Sequence, residues 1–435
     1  MSIESDRAVT DRVYRKVAFR LVPLLFVCYV IAYLDRVNVS FARLQMDDEL
    51  WFSDVVYGIG AGVFFVGYIV FEVPSNIVLH KVGARRWIAR IMISWGVVSG
   101  MMALANSPFT FYLLRFLLGV AEAGFIPGIL LYLTYWFPAH RRGRITALFL
   151  TAIPVATIFG GPLSGWLMQA FDDVGGLRGW QWMFIVEAVP AVLLGLVVLR
   201  MLDDRVADAT WLTDDERAVV AREVAADDDA KPAAHASVRD TMRSPVIWLL
   251  GGIYFAVALG IYTISFWLPT ILSRSGVEST VAVGFLSAVP YLVAVVAMVA
   301  VAANGDRTGE RRWHTAVPCA LGGVGLIAVG MTQSSTVLAL IALTVAAAAI
   351  SSAQAAFWSL PAALLSGVGA AAGIALVNSI GNIAGAVSTS LVGVISDATG
   401  STATSLYVFG VVLVLGGALV LTLKKEQVNG AGTRK

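Results

Sequence analysis

The sequence is short of charge. Only 14% of its 435 residues are Asp, Glu, Lys or Arg, where a soluble domain carries about 25%. The net charge is +2, which leaves no electrostatic footprint for a nucleic acid. Cysteine is scarce too. Cys28 and Cys319 both sit in apolar stretches; they make neither a disulfide framework nor a zinc site and read as small buried hydrophobes. The four histidines, His80, His140, His235 and His314, fall in or beside hydrophilic loops. His-Glu-x-x-His, Gly-x-Ser-x-Gly and a Walker loop are missing. Enzyme chemistry, a bound metal and a resident cofactor are therefore not expected.

What fills the chain is apolar: 58% of residues are hydrophobic. A membrane helix needs about 20 mostly apolar residues. Twelve stretches qualify, at roughly 18–40, 54–79, 87–106, 109–137, 145–169, 181–201, 246–271, 281–303, 313–332, 336–358, 372–396 and 403–423. In lipid each segment must satisfy its own backbone polar groups, so these stretches predict an all-α membrane protein of twelve transmembrane helices. The first follows Arg12, Arg15, Lys16 and Arg20 and lacks an A-x-A-like cleavage site, so it reads as a retained helix. With Arg36 and Arg115 set aside as lying inside spans, a cytoplasmic N-terminus leaves only Arg43, Arg178 and Arg274 on the outer side. Both termini are expected in the cytoplasm of a bacterial inner-membrane protein.

A hydrophilic stretch at about 202–244, with Asp227-Asp228-Asp229 and Lys231-Pro232, divides the spans six and six. It reads as a solvated cytoplasmic loop with one short helix after Thr213. The expected domains are a first bundle at 1–201, this loop, and a second bundle at 245–435. The halves echo each other. His80-Lys81-Val82-Gly83-Ala84-Arg85-Arg86-Trp87 stands between spans 2 and 3, and Asp306-Arg307-Thr308-Gly309-Glu310-Arg311-Arg312-Trp313 stands between spans 8 and 9. Gly permits a tight turn. The arginines can reach helix C-termini, acidic side chains or lipid phosphates. Lys81, Gly83, Arg85, Arg86, Asp306, Arg307, Gly309 and Arg311 are candidate gating residues, a latch that closes the inner side in one state. Internal repeats of this kind are a design of secondary transporters, with the substrate held near the midplane between the halves.

Further motifs are Tyr33-Leu34-Asp35-Arg36-Val37-Asn38 in span 1, Pro74-Ser75-Asn76 ending span 2, and Arg115-Phe116-Leu117-Leu118-Gly119-Val120-Ala121-Glu122-Ala123-Gly124 in span 4. Trp136-Phe137-Pro138, Gly161-Pro162-Leu163-Ser164-Gly165, Trp180-Gln181-Trp182-Met183-Phe184 and Asn378-Ser379-Ile380-Gly381-Asn382 join them. With the paired loops, these resemble the major facilitator superfamily and, within it, the anion:cation symporter family, over nearly the whole chain. The resemblance implies two pseudo-symmetric six-helix bundles and transport of organic anions, commonly carboxylates, usually with protons. The first loop has His80 where the superfamily pattern favours Asp, and the second keeps Asp306. The loop Leu364 to Ala372 lacks the basic residues some superfamily members carry there.

Ionisable groups inside spans are costly and mark function. Asp35 and Arg36 lie roughly 8 Å, and Arg115 roughly 10 Å, below the outer ends of their spans at about 1.5 Å per residue. Glu122, seven residues from Arg115, shares its face. That spans 1 and 4 touch is what the resemblance implies. Arg36 is assigned to the substrate carboxylate, since a guanidinium makes bidentate bonds and stays charged. Asp35 then pairs with Arg115, and Glu122 carries the proton that comes and goes. Asp35, Arg115 and Glu122 are thus the expected proton-coupling set, with the proton as coupling ion. Tyr33 and Tyr68, with the pairs Gln354/Trp358 and Asn378/Asn382 four apart on one face, complete the expected substrate site with Arg36. Trp267 reads as helix packing or as part of the interfacial aromatic belt, and Glu72 as a gate residue bonded to the loop arginines. The leading expectation is proton-coupled import of a small organic anion, aromatic or hydroxylated, in contact with membrane lipid and with no nucleic-acid partner. An exchanger or efflux carrier is the alternative, since Gly161 to Gly165 resembles part of an antiporter motif; a non-transporting receptor stands further off. Oligomeric state is not legible.

Overall fold

The structure is a computed structural model that describes residues 3–47, 51–138, 141–142, 145, 148–149, 151–229, 243–364 and 368–429. The first span consists of α1 (Ile3–Val37) and α2 (Val39–Met46), separated by a turn at Asn38. Then come α3 (Asp54–Val82), α4 (Ala84–Met101), α5 (Pro108–Glu122), α6 (Phe125–Thr134), α7 (Ala152–Ala170) and α8 (Gly179–Met201). A lone helix α9 (Asp214–Asp229) precedes the second set: α10 (Pro245–Arg274), α11 (Thr280–Thr308), α12 (Arg312–Met331), α13 (Thr336–Phe357), α14 (Ser359–Leu364), α15 (Val368–Thr399), α16 (Ala403–Leu421) and α17 (Lys425–Val428). Polar residues at the span ends set several starts. Ser53 accepts the amide of Val56 at 3.3 Å ahead of α3. Ser107 and Thr110 form a capping box around Pro108 at the start of α5.

Eleven spans among the described residues are long and apolar enough to cross a membrane. The twelfth expected span is α7, whose apolar character is diluted by Gly160, Gly161, Gly165, Pro154 and Pro162. Its packing explains the dilution. A Cβ on Gly161 would stand 2.8 Å from the carbonyl of Gly284 in α11, so the two backbones touch. In the first half α4 packs on α8, α3 on α5, and α1 on α7 and α8. In the second α12 packs on α13 and α16, α10 on α15, and α11 on α13. The halves meet along α3 with α15 and α7 with α11.

Span 4 is not one rod. α5 ends at Glu122, Gly124 takes the left-handed conformation at φ 84°, and α6 restarts at Phe125. A side chain there would also strike the Ser75 hydroxyl, 2.4 Å away. The expected solvated loop is corrected as well. Leu202, Ala209, Leu212 and Val220 are buried, Trp211 stacks on Trp136 at 5.8 Å, and Lys16 pairs with Glu216 at 2.6 Å. Apolar residues spaced through an acidic segment were enough to dock it on the first half. The Lys16 hydrogen bond holds the Glu216 carboxyl below its ordinary range.

Candidate functional site

The far side, opposite the termini, is shut by a charged knot. Asp54 at the start of α3 takes an ion pair from Arg43 of α2 and, from across the interface, the Nη2 of Arg274 at 2.8 and 2.9 Å and the hydroxyl of Ser396. Arg43 is fully buried, with its guanidinium 4.7 Å from the Tyr57 ring and 4.6 Å from the Trp267 ring. Of the two readings of Trp267, packing holds and the lipid-facing belt does not: it belongs to this plug and has no exposed surface. The Tyr57 hydroxyl donates to the carbonyl of Phe266 at 2.5 Å, and Tyr33 shares a 2.9 Å hydrogen bond with Ser265. Both join the halves.

Below that plug lies a cavity of about 850 Å³ between the bundles. Its wall runs from Tyr33, Ser265 and Tyr291 through Gln354 and Trp358 to Arg142 on the side of the termini. Three of the expected substrate residues, Tyr33, Gln354 and Trp358, are brought together here. Tyr254, which the sequence reading passed over, backs this wall: its ring stands 4.8 Å from that of Trp358. Tyr262 and Tyr291 were missed in the same way, because nothing in span composition separates a tyrosine facing a cavity from one packed on a neighbour.

The buried charges lie beside the cavity, inside the first half. Arg36 forms an ion pair with Glu122, its Nε also donating at 3.1 Å, and its guanidinium lies 5.4 Å from the Phe64 ring and 5.3 Å from the Tyr68 ring. The expected Asp35–Arg115 pair is absent. Asp35 accepts from the indole N–H of Trp95 at 2.7 Å. Arg115 donates to the carbonyl of Gly60 at 3.4 Å and lies 5.0 Å from the Phe64 ring. Adjacent residues diverge around a helix, so Asp35 and Arg36 face different neighbours; which neighbour each one meets is set by tertiary packing. Glu187 of α8 was missed altogether. It is buried and accepts from Ser164 at 2.7 Å and from Asn38 at 3.0 Å. The signal was present, an acid inside an apolar span. Asn382 accepts from Tyr262 at 3.4 Å, and Asn378, half-buried, lies one turn away on α15.

On the side of the termini each repeated loop is fastened within its own half. Gly83 and Gly309 both turn at positive φ, 98° and 68°. The Arg85 amide donates to Asp204 at 2.8 Å. The Arg311 amide donates to Asn429 at 2.9 Å, the Arg311 side chain to the carbonyl of Val428 at 3.1 Å, and Arg312 to that of Leu421 at 2.6 Å. Lys81 and Arg86 are exposed, and Arg307 closes the last turn of α11. The side chain of Asp306 lies outside the described residues. Glu72 makes no ion pair with the loop arginines among the described residues; it is a buried carboxyl on α3, one turn from Tyr68.

Two repeated helical bundles with a cavity between them are the architecture of a secondary transporter, and residues 25–389 match the Major Facilitator Superfamily. The chain belongs to that superfamily. This facilitator is 49% identical over 434 residues to an Agrobacterium vitis protein named for tartrate transport, covering 99% of this chain and 96% of that one. It is 48% identical over 421 residues to NicT of Pseudomonas putida, named for metabolite transport, covering 97% and 96%. Its fold is shared with a crystal structure of a bacterial homologue of the human lysosomal transporter Spinster, in an inward-facing and unoccupied conformation: TM-score 0.74, 16% identity, 92% and 95% coverage. It is a multi-pass membrane transporter and not an enzyme.

Proposed function

We propose that this facilitator imports a small organic anion across a bacterial inner membrane together with protons, by alternating access, with both termini in the cytoplasm. The observation that carries the reading is the Arg36–Glu122 pair, held out of water beside the inter-bundle cavity. A buried guanidinium paired with a carboxylate loses heavily if it is left without an anion. When Glu122 takes a proton it no longer serves, and a substrate carboxylate replaces it on Arg36, where the planar fork gives bidentate recognition. Proton and anion thus enter together. Asp35 and Arg115 tune this pair from the same bundle. The aromatic and aliphatic wall with Tyr33, Tyr291 and Trp358 favours an aromatic carboxylate over a polyhydroxylated one; Gln354 and the amides of Asn378 and Asn382 orient its polar substituents. A cavity that reaches toward the termini's side and a sealed far side fit an inward-open state, with each basic loop held within its own half.

Reconstituted vesicles test the reading. Glu122→Gln should exchange labelled for unlabelled substrate and fail to accumulate it under an imposed pH difference. Wild-type accumulation in Glu122→Gln would overturn it. Nicotinate, hydroxyphenylacetate, phthalate and tartrate serve as the substrate panel. A reporter fused near Asp227 should lie in the cytoplasm.

A further inference from the structure

The first bundle holds two buried carboxyls that face no cation. Asp35 spends one oxygen on Trp95 Nε1; its Oδ1 is buried beside the Ser99 hydroxyl, a neutral group. Glu187, on another helix, lies within electrostatic reach of Asp35. Its two oxygens take the Ser164 hydroxyl and the Asn38 amide N–H, both neutral. Asn38 is three residues from Asp35, so one face of the first span touches both acids.

Among the described residues neither acid takes part in an ion pair, and the nearby cations face other groups. Arg36 turns to Glu122. Arg43 of α2 turns to Asp54 and Asp47. Arg90 of α4 lies 3.9 Å from the Trp87 ring and reaches Ser94. Arg115 of α5 lies against Gly60 and Phe64. α7 contributes no ionisable side chain, and α8 itself adds only Arg200, at its terminal-side end. Two carboxylates cannot both stay ionised in such a place without a counter-ion.

We propose that Glu187, with Asp35, forms a proton-holding site separate from the Arg36–Glu122 pair, and that Ser164 passes its state to the interface between the bundles. With Glu187 protonated, its O–H donates to the Ser164 oxygen; with Glu187 ionised, Ser164 donates to it. Ser164 lies between Gly161 and Gly165, whose backbones touch Gly284 and Thr280 of α11. A change at Glu187 therefore acts on the helix along which the halves meet.

The inference extends the reading of the protein as proton-coupled, and its test is independent of transport. The full chain in lipid nanodiscs, without substrate or gradient, is titrated while the carbonyl stretch of protonated carboxyls is followed by infrared difference spectroscopy. The wild type should show a band that Glu187→Gln removes and Glu187→Asp restores. Ser164→Ala should keep the band's amplitude and shift its frequency, through loss of one hydrogen bond, which covers the case of a poorly folding Glu187→Gln. A wild-type spectrum from Glu187→Gln, or no frequency change in Ser164→Ala, overturns the site. In vesicles Glu187→Gln should also shift the pH at which exchange is half-maximal by at least about one unit, a tenfold change in proton affinity. If the band behaves as expected while no variant or wild type accumulates substrate under a pH difference, proton coupling fails and the site stands.

Discussion

The two bundles repeat each other in helix order but not in chemistry. Among the described residues, the first buries Asp35, Arg36, Arg43, Glu72, Arg115, Glu122 and Glu187. The second buries hydroxyls and the amide of Asn382, and no charged side chain. Its polar and aromatic share of the cavity includes Gln354, Trp358, Ser265 and Tyr291, and its Arg274 ion pair with Asp54 sits at the far rim. One half therefore does the ionic work, and the other offers neutral surface whose hydrogen bonds do not change with pH. A substrate spanning both would have its charge read on one side and its shape on the other.

The sharpest way to break this comparison is to unbalance the charged half. Arg36→Gln or Glu122→Gln alone leaves one buried charge unpaired and should lower stability by about 3–5 kcal/mol. The double variant should recover most of that loss and still fail to transport. Thermal unfolding in detergent and vesicle uptake read the two separately; full additivity of the two losses would show that the pair does not interact. Next in size is the far-side knot. Asp54→Asn should weaken the hold of Arg43, Arg274 and Ser396 at once. In a chain with Cys28 and Cys319 replaced, labelling of Ser265→Cys from the far side should rise about tenfold, the equivalent of ~1.4 kcal/mol. Unchanged labelling would mean that the knot does not hold this side shut.

Changes in the neutral half should be milder and of another kind. Gln354→Leu should raise the substrate's KM by about fivefold, the scale of one hydrogen bond at ~1 kcal/mol, and leave the pH profile in place. A moved pH profile would assign ionic work to the second bundle after all. The smallest effect is expected outside the membrane. Glu216→Gln removes a surface ion pair with Lys16 and should change stability by at most about 1 kcal/mol.

How much of this was legible from the residues depends on which physics decides each feature. Span positions, the six-plus-six division and the repeated basic loops follow from hydropathy and turn chemistry, which are local. That Arg36 and Glu122 matter also follows locally, from the cost of charge in lipid. Their pairing does not: it requires knowing which faces of spans 1 and 4 oppose each other, and equal depth, with a contact between the spans that the resemblance supplied, pointed to Asp35 with Arg115. Trp267 stayed open between packing and a lipid belt for the same reason, since an aromatic near a span end fits both equally well. Glu187 was a lapse of application, because the rule that picked out Glu122 covers it too. The break at Gly124 stayed hidden within an apolar run long enough to cross unbroken.

The fastening of each basic loop to the chain that leaves the last helix of its own half has a mechanical consequence. Asp204 binds the loop at Arg85, and Asn429 binds the loop at Arg311. Each half is thereby closed on itself like a clamped hoop, with its first inner loop pinned to its exit. Force applied at one rim is carried around the hoop and not lost in slack loops. Motion is left to the two seams where backbone meets backbone, α7 on α11 and α3 on α15. If access alternates as proposed, one stiff hoop rolls over the other about those seams.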